Sequence, residues 1–561
     1  MRRIRNAAGA TIGVLIGAGL TGPAKAQPHD FWDARWDGQH HFEDLGYSVA
    51  LDSAGNVVVA GTTTGSNGDY DFVVLKYDRF GSLLWSQRYA GPGGGDDFGW
   101  DIAVDSSDNI FISGPSAGVG TAADFAIIKY DATGALIWEN RYDGPASGND
   151  YTGIDALGVA ADGSVTLTGY SMGLSGRFEA ATVRYASDGS LLWARRYAGP
   201  AATPEALGYS LKIDSTGAAL VGGDANDATG EPSIMVLKYL PNGDLAWDTF
   251  YDGPYDGNEV SYNLGVDSND NAYMSAAVPG ANGLYDYAIF KVDSSGAILW
   301  DATYDGGGVD YPFGVATGPD HSCFVTGIST DFYGNGDYAT MKINPDGTIA
   351  WVKRFSQPRW FADDTGVDVV VNGAGVAFVT GYSWAGPSEG RNAVTIGYDA
   401  AGTVVWQREF NGAADGDDGG FGLAIAPNDD LYLTGFSLGA GTDADVLVQR
   451  FRAAPDPTLV VSPTPLLAGQ LATFTVQHAE PNEDLYLAYS LIGGGNGPFV
   501  PFLGIALDLL GPQQAGAVVP TDATGSAVWT LPIPSSAAGT PVWFQAAHRL
   551  LVSNVVGTQV D

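Results

Sequence analysis

A tryptophan that returns every 51 to 55 residues, four strand-like runs within each period, and incomplete copies at both ends predict an all-β chain. The expected architecture is an eight-bladed β-propeller over residues 27–453, closed by an N-terminal strand, with a small Ig-like β-sandwich over 454–561. The tryptophans are Trp32, Trp85, Trp138, Trp193, Trp247, Trp300, Trp351 and Trp406. Each sits in a copy of one pattern, clearest as KYDATGALIWENRYDG from Lys129 to Gly144.

Taken in order, residues 1–26 read as a secretory signal peptide. Arg2, Arg3 and Arg5 form its basic start, residues 7–20 its short apolar stretch, and Ala24-Lys25-Ala26 its small-residue cleavage pattern. No later run approaches the roughly 20 apolar residues that a membrane-spanning helix requires, and no cysteine near the cleavage point offers a lipid anchor. A secreted, cell-surface or periplasmic location is therefore expected. The first copy of the repeat, FWDARWDG at Phe31 to Gly38, holds only a fourth strand, and the last, Phe421 to Arg452, holds only the first three. The N-terminal strand is expected to complete the last blade, which leaves no open strand edge.

Between the two ends, a unit runs LGYSVALD, a turn at Ser53–Asn56, VVVAGTTT, a polar loop, DFVVLKYD, a turn at Arg79–Gly81, and SLLWSQRYAG. Apolar and β-branched residues bounded by Gly, Asp and Asn turns argue for strands throughout. An aromatic residue lies four positions after each tryptophan (Trp36, Tyr89, Tyr142, Tyr197, Tyr251, Tyr304, Phe355, Phe410). Both rings then lie on one strand face, where they are expected to pack between blades. Ala453 to Pro457 reads as a linker. ATFTVQH, DLYLAYSL, SAVWTLPI and TPVWFQAAH mark the strands of the final unit.

The chain carries 26 basic and 64 acidic residues and a net charge of −38. That charge disfavours nucleic acid and anionic membrane surfaces as partners. Its one cysteine, Cys323, permits no internal disulfide and is expected as a small core residue. No histidine pair has the spacing of metal ligands.

The repeats GYSVALDSAGNVVVAG and DYDFVVLKYDRFGSLLW, recurring from Trp32 to Arg452, resemble the SBBP family of bacterial β-propeller repeats. That resemblance implies extracellular or cell-surface repeats without defined catalytic residues. KYDATGALIW also resembles the tryptophan-docking repeat of eight-bladed pyrroloquinoline quinone dehydrogenases, although the aspartate-to-tryptophan interval here is one residue shorter. The adjacent cysteine pair typical of the alcohol dehydrogenases cannot form with Cys323 alone. This second resemblance supports eight-fold geometry rather than redox chemistry.

Seven acids lie twelve residues after a repeat tryptophan: Asp44, Asp97, Asp150, Glu205, Glu259, Asp363 and Asp418; the shorter unit offers Asp310. Their loops join one blade to the next, so an acidic ring near the channel mouth is expected. Asp71, Asp124, Glu179, Asp286, Asp337 and Asp445 form a second column, each five positions before a basic residue (Lys76, Lys129, Arg184, Lys291, Lys342, Arg450). Such acids could bind Ca2+, which favours hard oxygen ligands, contact a basic partner, or hold their own turns. No other cofactor is expected. Arg359, Trp360 and Phe361, in RFSQPRWFADD, break the repeat with the composition of a binding hot spot. The expected function is that of an exported, non-catalytic binding or scaffold protein presenting an acidic face to a protein, glycan or cation. The alternative is a secreted quinone-dependent oxidoreductase or carboxylate-based hydrolase working at the channel mouth.

Overall fold

A computed structural model describes residues 29–255, 257–357, 363–452, 457–500, 503 and 505–561. The expected signal peptide (1–26), most of the expected linker (453–456) and the candidates Arg359, Trp360 and Phe361 lie outside the described residues.

Four strands, Asp44–Leu51, Val57–Thr64, Tyr70–Tyr77 and Leu83–Tyr89, pair antiparallel in sequence order to form sheet 1. Six more four-stranded sheets follow in the same way, and we number them 2 to 7. Sheet 8 takes Asp418–Ile425, Leu431–Leu438 and Ala444–Arg452 from the end of the array and His29–Trp36 from its beginning. His29–Trp36 runs antiparallel to Ala444–Arg452, with Trp32 opposite Arg450 and Trp36 opposite Val446.

The innermost strand of each sheet touches the innermost strands of the sheets before and after it, and those of sheets 8 and 1 also meet. Consecutive four-stranded antiparallel sheets in this arrangement are the organisation of a β-propeller. The core lies between the sheets. Val57, Val59, Val73 and Leu75 pack toward sheet 8, against Tyr432, Val446 and Val448. The alternate residues Val58, Ala60, Phe72 and Val74 pack toward sheet 2, against Ile102, Ile110 and Ile112. Side chains alternate along a strand, so a strand buried on both faces must be apolar at every position. That is why the middle strands read as unbroken runs such as VVVA and FVVL.

The repeat tryptophan joins one sheet to the next. Trp85 Nε1 donates to the Ala132 carbonyl in the turn of sheet 2, at 3.2 Å. Trp138, Trp193, Trp247, Trp300 and Trp351 make the same bond one sheet further on. Trp32 bonds the Arg79 carbonyl at 2.9 Å, which carries the series from sheet 8 to sheet 1. The indole lies against the turn glycine. A Cβ on Gly134, whose φ is +86°, would come within 2.8 Å of the Trp85 ring. Both the backbone angle and the close approach demand glycine.

Thr458 begins a second unit, which has a short two-stranded ladder besides two main sheets of three and six strands. They share a core that includes Leu459, Phe474, Leu487, Trp529 and Phe544. This unit rests on the seam between sheets 8 and 1. Glu480 bonds Arg450 and Arg452 of the last strand, Arg549 reaches Asp78 at 2.9 Å, and Glu483 pairs with Arg79. Cys323 is fully buried, and burial pushes its thiol pKa well up. Among the described residues, no helix is long and apolar enough to cross a membrane.

Candidate functional site

The acids expected as a ring sit at the entrance to the innermost strands, and most are turned into their own loops. Asp44 accepts from Gly38 N at 2.6 Å, Asp97 from Gly91 N at 2.5 Å, Asp150 from Gly144 N at 2.5 Å and Asp418 from Gly412 N at 2.7 Å. Asp310, in the shorter unit, accepts from Gly306 N at 2.6 Å. All five are buried, and burial, only partly offset by these hydrogen bonds, raises each carboxyl pKa.

The remaining three members differ. Asp363 is exposed, and its neighbour Asp364 takes the equivalent place, accepting from Gln357 N at 2.8 Å and Ser383 Oγ at 2.6 Å. Glu205 lies partly exposed, 3.6 Å from Arg177. Glu259 is buried, and desolvation pushes its carboxyl up to about 7. The ring members do not converge. Among the described residues, three groups of carboxylates lie close enough to share an ion, Asp37/Asp44/Asp445, Asp124/Asp143/Asp150 and Asp286/Asp305/Asp310, and each contains a single ring member.

Five of the six acids of the second column, all but Asp286, are paired with arginines that lie three residues after the tryptophans. Arg141 contacts Asp124 at 3.0 Å, Arg196 contacts Glu179 at 2.6 Å, Arg354 contacts Asp337 at 2.9 Å and Arg35 contacts Asp445 at 3.0 Å; Arg88 pairs with Asp71. The basic residues five positions after these acids lie at the opposite end of the strand. There Lys76, Lys129, Lys291, Lys342 and Arg450 pair with Asp52, Asp105, Asp267, Asp320 and Asp430, Arg184 lies 3.9 Å from Asp162, and Lys238, which follows no such acid, pairs with Asp214.

A cavity of about 810 Å3 lies in the central channel, lined by residues from the innermost strands of all eight sheets. Its wall carries Tyr47, Trp100, Tyr209, Tyr262, Phe313 and Phe421. Tyr47 and Phe421 stack with centroids 5.9 Å apart, and Tyr262 meets Phe313 edge-on at 5.3 Å. Among these aromatics lies a polar cluster drawn from four sheets, Asp101, Asp155, Lys212 and Asp368.

Lys212 bonds Asp155, which the chain holds at φ +58° within an irregular stretch between Thr152 and Leu157. Asp101 accepts from Leu157 N at 2.8 Å and Asp368 from Leu423 N at 2.8 Å. Burial raises both carboxyls to about 7, and nearby Asp155 adds to the shift. Burial alone would lower the Lys212 pKa, but Asp155, Asp101 and Asp368 outweigh it, so the ammonium stays protonated. The cluster is thus one fixed cation among three carboxylates, two of which titrate near neutrality.

Sequence reasoning missed this cluster. Two signals pointed to it: Lys212 is the one basic residue on the eight innermost strands, and the Trp138–Trp193 interval carries two extra residues where Asp155 sits.

No family profile matches the chain, and no curated protein matches it. Among solved structures, it is similar to PorZ, a surface component of the type-IX secretion system of Porphyromonas gingivalis. Identity is 12%, with 90% of this chain and 68% of that one covered and a TM-score of 0.39. The β-propeller domain of the Trilobed protease from Pyrococcus furiosus, described as having an open velcro topology, is 7% identical over 63% of this chain and 94% of its own, with a TM-score of 0.37. Drosophila Plexin A is 9% identical over 76% and 88%, with a TM-score of 0.36. Likeness this remote carries nothing for function.

Proposed function

We propose that this is an exported, non-catalytic binding protein that takes a glycan at the mouth of its central channel. In this reading the ring is an eight-bladed propeller of SBBP type, its N-terminal strand completes the last blade, and the C-terminal unit is a β-sandwich resting over that seam. The channel cavity is the observation that carries the proposal. Its volume falls in the range of ligand sites, and it joins a largely apolar wall to a few convergent polar groups. Aromatic rings offer flat apolar faces to a sugar ring, while Lys212 and the three aspartates can donate to or accept from its hydroxyls.

The test is titration calorimetry of the full chain against an oligosaccharide panel, repeated with Tyr262→Ala. The expected result is binding that weakens at least about tenfold in the variant at unchanged melting temperature, a loss of about 1.4 kcal/mol. Absence of binding across the panel, or a variant that binds as well as the parent, would sink the proposal.

One observation favours a second reading, that of a carboxylate-based hydrolase. Asp101 and Asp368 have pKa values near 7, where general acid–base groups work best. Turnover of a bound oligosaccharide that disappears in Asp101→Asn would select it over the binding reading.

A further inference from the structure

Six of the eight sheets place an acid at the start of the third strand, and five of these acids face an arginine from the fourth strand of the same sheet. Asp286, in Tyr285–Val292 of sheet 5, is the sixth. The register there is unchanged. Thr303 lies opposite Ala288, as Arg88 lies opposite Val73 in sheet 1 and Arg141 opposite Ala126 in sheet 2. Sheet 5 therefore holds a neutral threonine where its counterparts hold a guanidinium.

The result is an uncompensated carboxylate. Asp286 is 8% exposed, and its Oδ1 is buried without a hydrogen-bond partner among the described residues. Burying a charge with neither a counter-ion nor a hydrogen bond is strongly unfavourable. Asp286 also lies with Asp305 and Asp310, one oxygen of each falling within 4.8 Å of the others. The other two carboxylates are oriented by the loop: Asp305 accepts from Gly307 N at 2.7 Å and Asp310 from Gly306 N at 2.6 Å. In the two related groups, Asp445 and Asp124 are paired with Arg35 and Arg141; around Asp286, Arg354 donates to the Gly306 carbonyl at 3.1 Å but pairs with Asp337 of sheet 6.

We propose that Asp286, Asp305 and Asp310 form a Ca2+ site, in which the ion takes the place of the arginine missing from sheet 5. Oxygens bound at about 2.4 Å to one ion lie no more than about 4.8 Å apart, so the three can share it. Asp305 is exposed, which gives the ion a path from solvent and leaves room for water ligands. The site lies in the loop between sheets 5 and 6 and is independent of any ligand in the channel.

Equilibrium dialysis of chelator-treated full-length chain against micromolar CaCl2 tests the proposal. One tightly held Ca2+ per chain is expected. At least tenfold weaker binding is expected in both Asp286→Asn and Thr303→Arg, with no change in Asp124→Asn, whose acid already has its arginine. Thr303→Arg carries the decisive result, because five other sheets accept arginine at this position. Its melting temperature in chelator should equal or exceed that of the parent, since the new guanidinium meets Asp286. Absence of binding to the parent, undiminished binding to Thr303→Arg, or equal loss in Asp124→Asn would each overturn the site.

Discussion

In several sheets the aspartates that flank the innermost strand at its two ends are handled in opposite ways. At the end where the tryptophans dock, Asp52, Asp105, Asp214 and Asp267 meet a lysine from the third strand and two or more donors from their own turn. Burial raises these carboxyl pKa values, but hydrogen bonds and the lysines outweigh it and hold them below the ordinary range. At the opposite end Asp44, Asp97, Asp150 and Asp364 are more deeply buried and rest mainly on neutral amides and hydroxyls, so burial wins and their pKa values rise. Fixed counter-charge makes a carboxylate a fastening, whereas neutral donors leave it under tension. The first end binds the sheets to one another and to the C-terminal unit. The second carries the loops and the unneutralised Asp286.

The largest effect should come from removing both kinds of contact at the seam. Deleting residues 27–38 takes away a whole ladder with Ala444–Arg452, the Trp32 bond to Arg79 and the Arg35 pair with Asp445. The melting temperature should fall by on the order of 10 °C or more; an unchanged melting curve would break the closure model. Next comes Glu480→Ala, which strips a buried carboxylate from Arg450 and Arg452, all three side chains being at most 3% exposed. Breaking a buried pair from one side costs about 3–5 kcal/mol, measurable by denaturant titration. A loss below about 1 kcal/mol would show that the C-terminal unit merely leans on the seam.

A matched pair of substitutions compares the two ends directly. Asp52→Asn leaves Lys76 buried without its partner and should cost about 3 kcal/mol. Asp44→Asn keeps an acceptor for Gly38 N and removes a charge that burial disfavours, so it should cost about 1 kcal/mol or less. Equal losses would refute the contrast between fastened and strained carboxylates.

Much of this organisation was legible in the sequence because its determinants are local. The tryptophan, its carbonyl acceptor and the turn glycine recur at fixed spacing, so period and closure could be read from residue types alone. The counter-ions were not legible in that way. Residues five apart in a strand, such as Asp71 and Lys76, lie about 17 Å apart. The true partner of Asp71 is Arg88, on the next strand. Asp364 rather than Asp363 takes the ring position because the loop after Trp351 is one residue longer than its counterparts after Trp32, Trp85, Trp138 and Trp406. The channel cluster could not be read from any one repeat, since Asp101, Asp155, Lys212 and Asp368 meet only when four sheets close around one axis.

The smallest expected effect is a displacement of the pH of greatest stability. A carboxyl whose folded pKa is raised weakens the fold whenever it is ionised in both states. That penalty is relieved as pH falls from the folded value toward the unfolded one near 4. Asp101, Asp224 and Asp368, each at about 7, and Glu259, also about 7, place this window between about pH 7 and 4. The lysine-paired group has the opposite sign. The stability contributed by Asp52, Asp105, Asp214 and Asp267 is complete above their unfolded pKa and is lost only as pH falls through their lowered folded values, below about 4. The melting temperature should therefore rise by a few degrees from pH 8 to about 5 and fall steeply below about 4. Asp368→Asn should flatten the rising limb without moving the acid limb, and Asp214→Asn should do the reverse. A curve highest at pH 8 would mean that the strained carboxylates find counter-charge in solution.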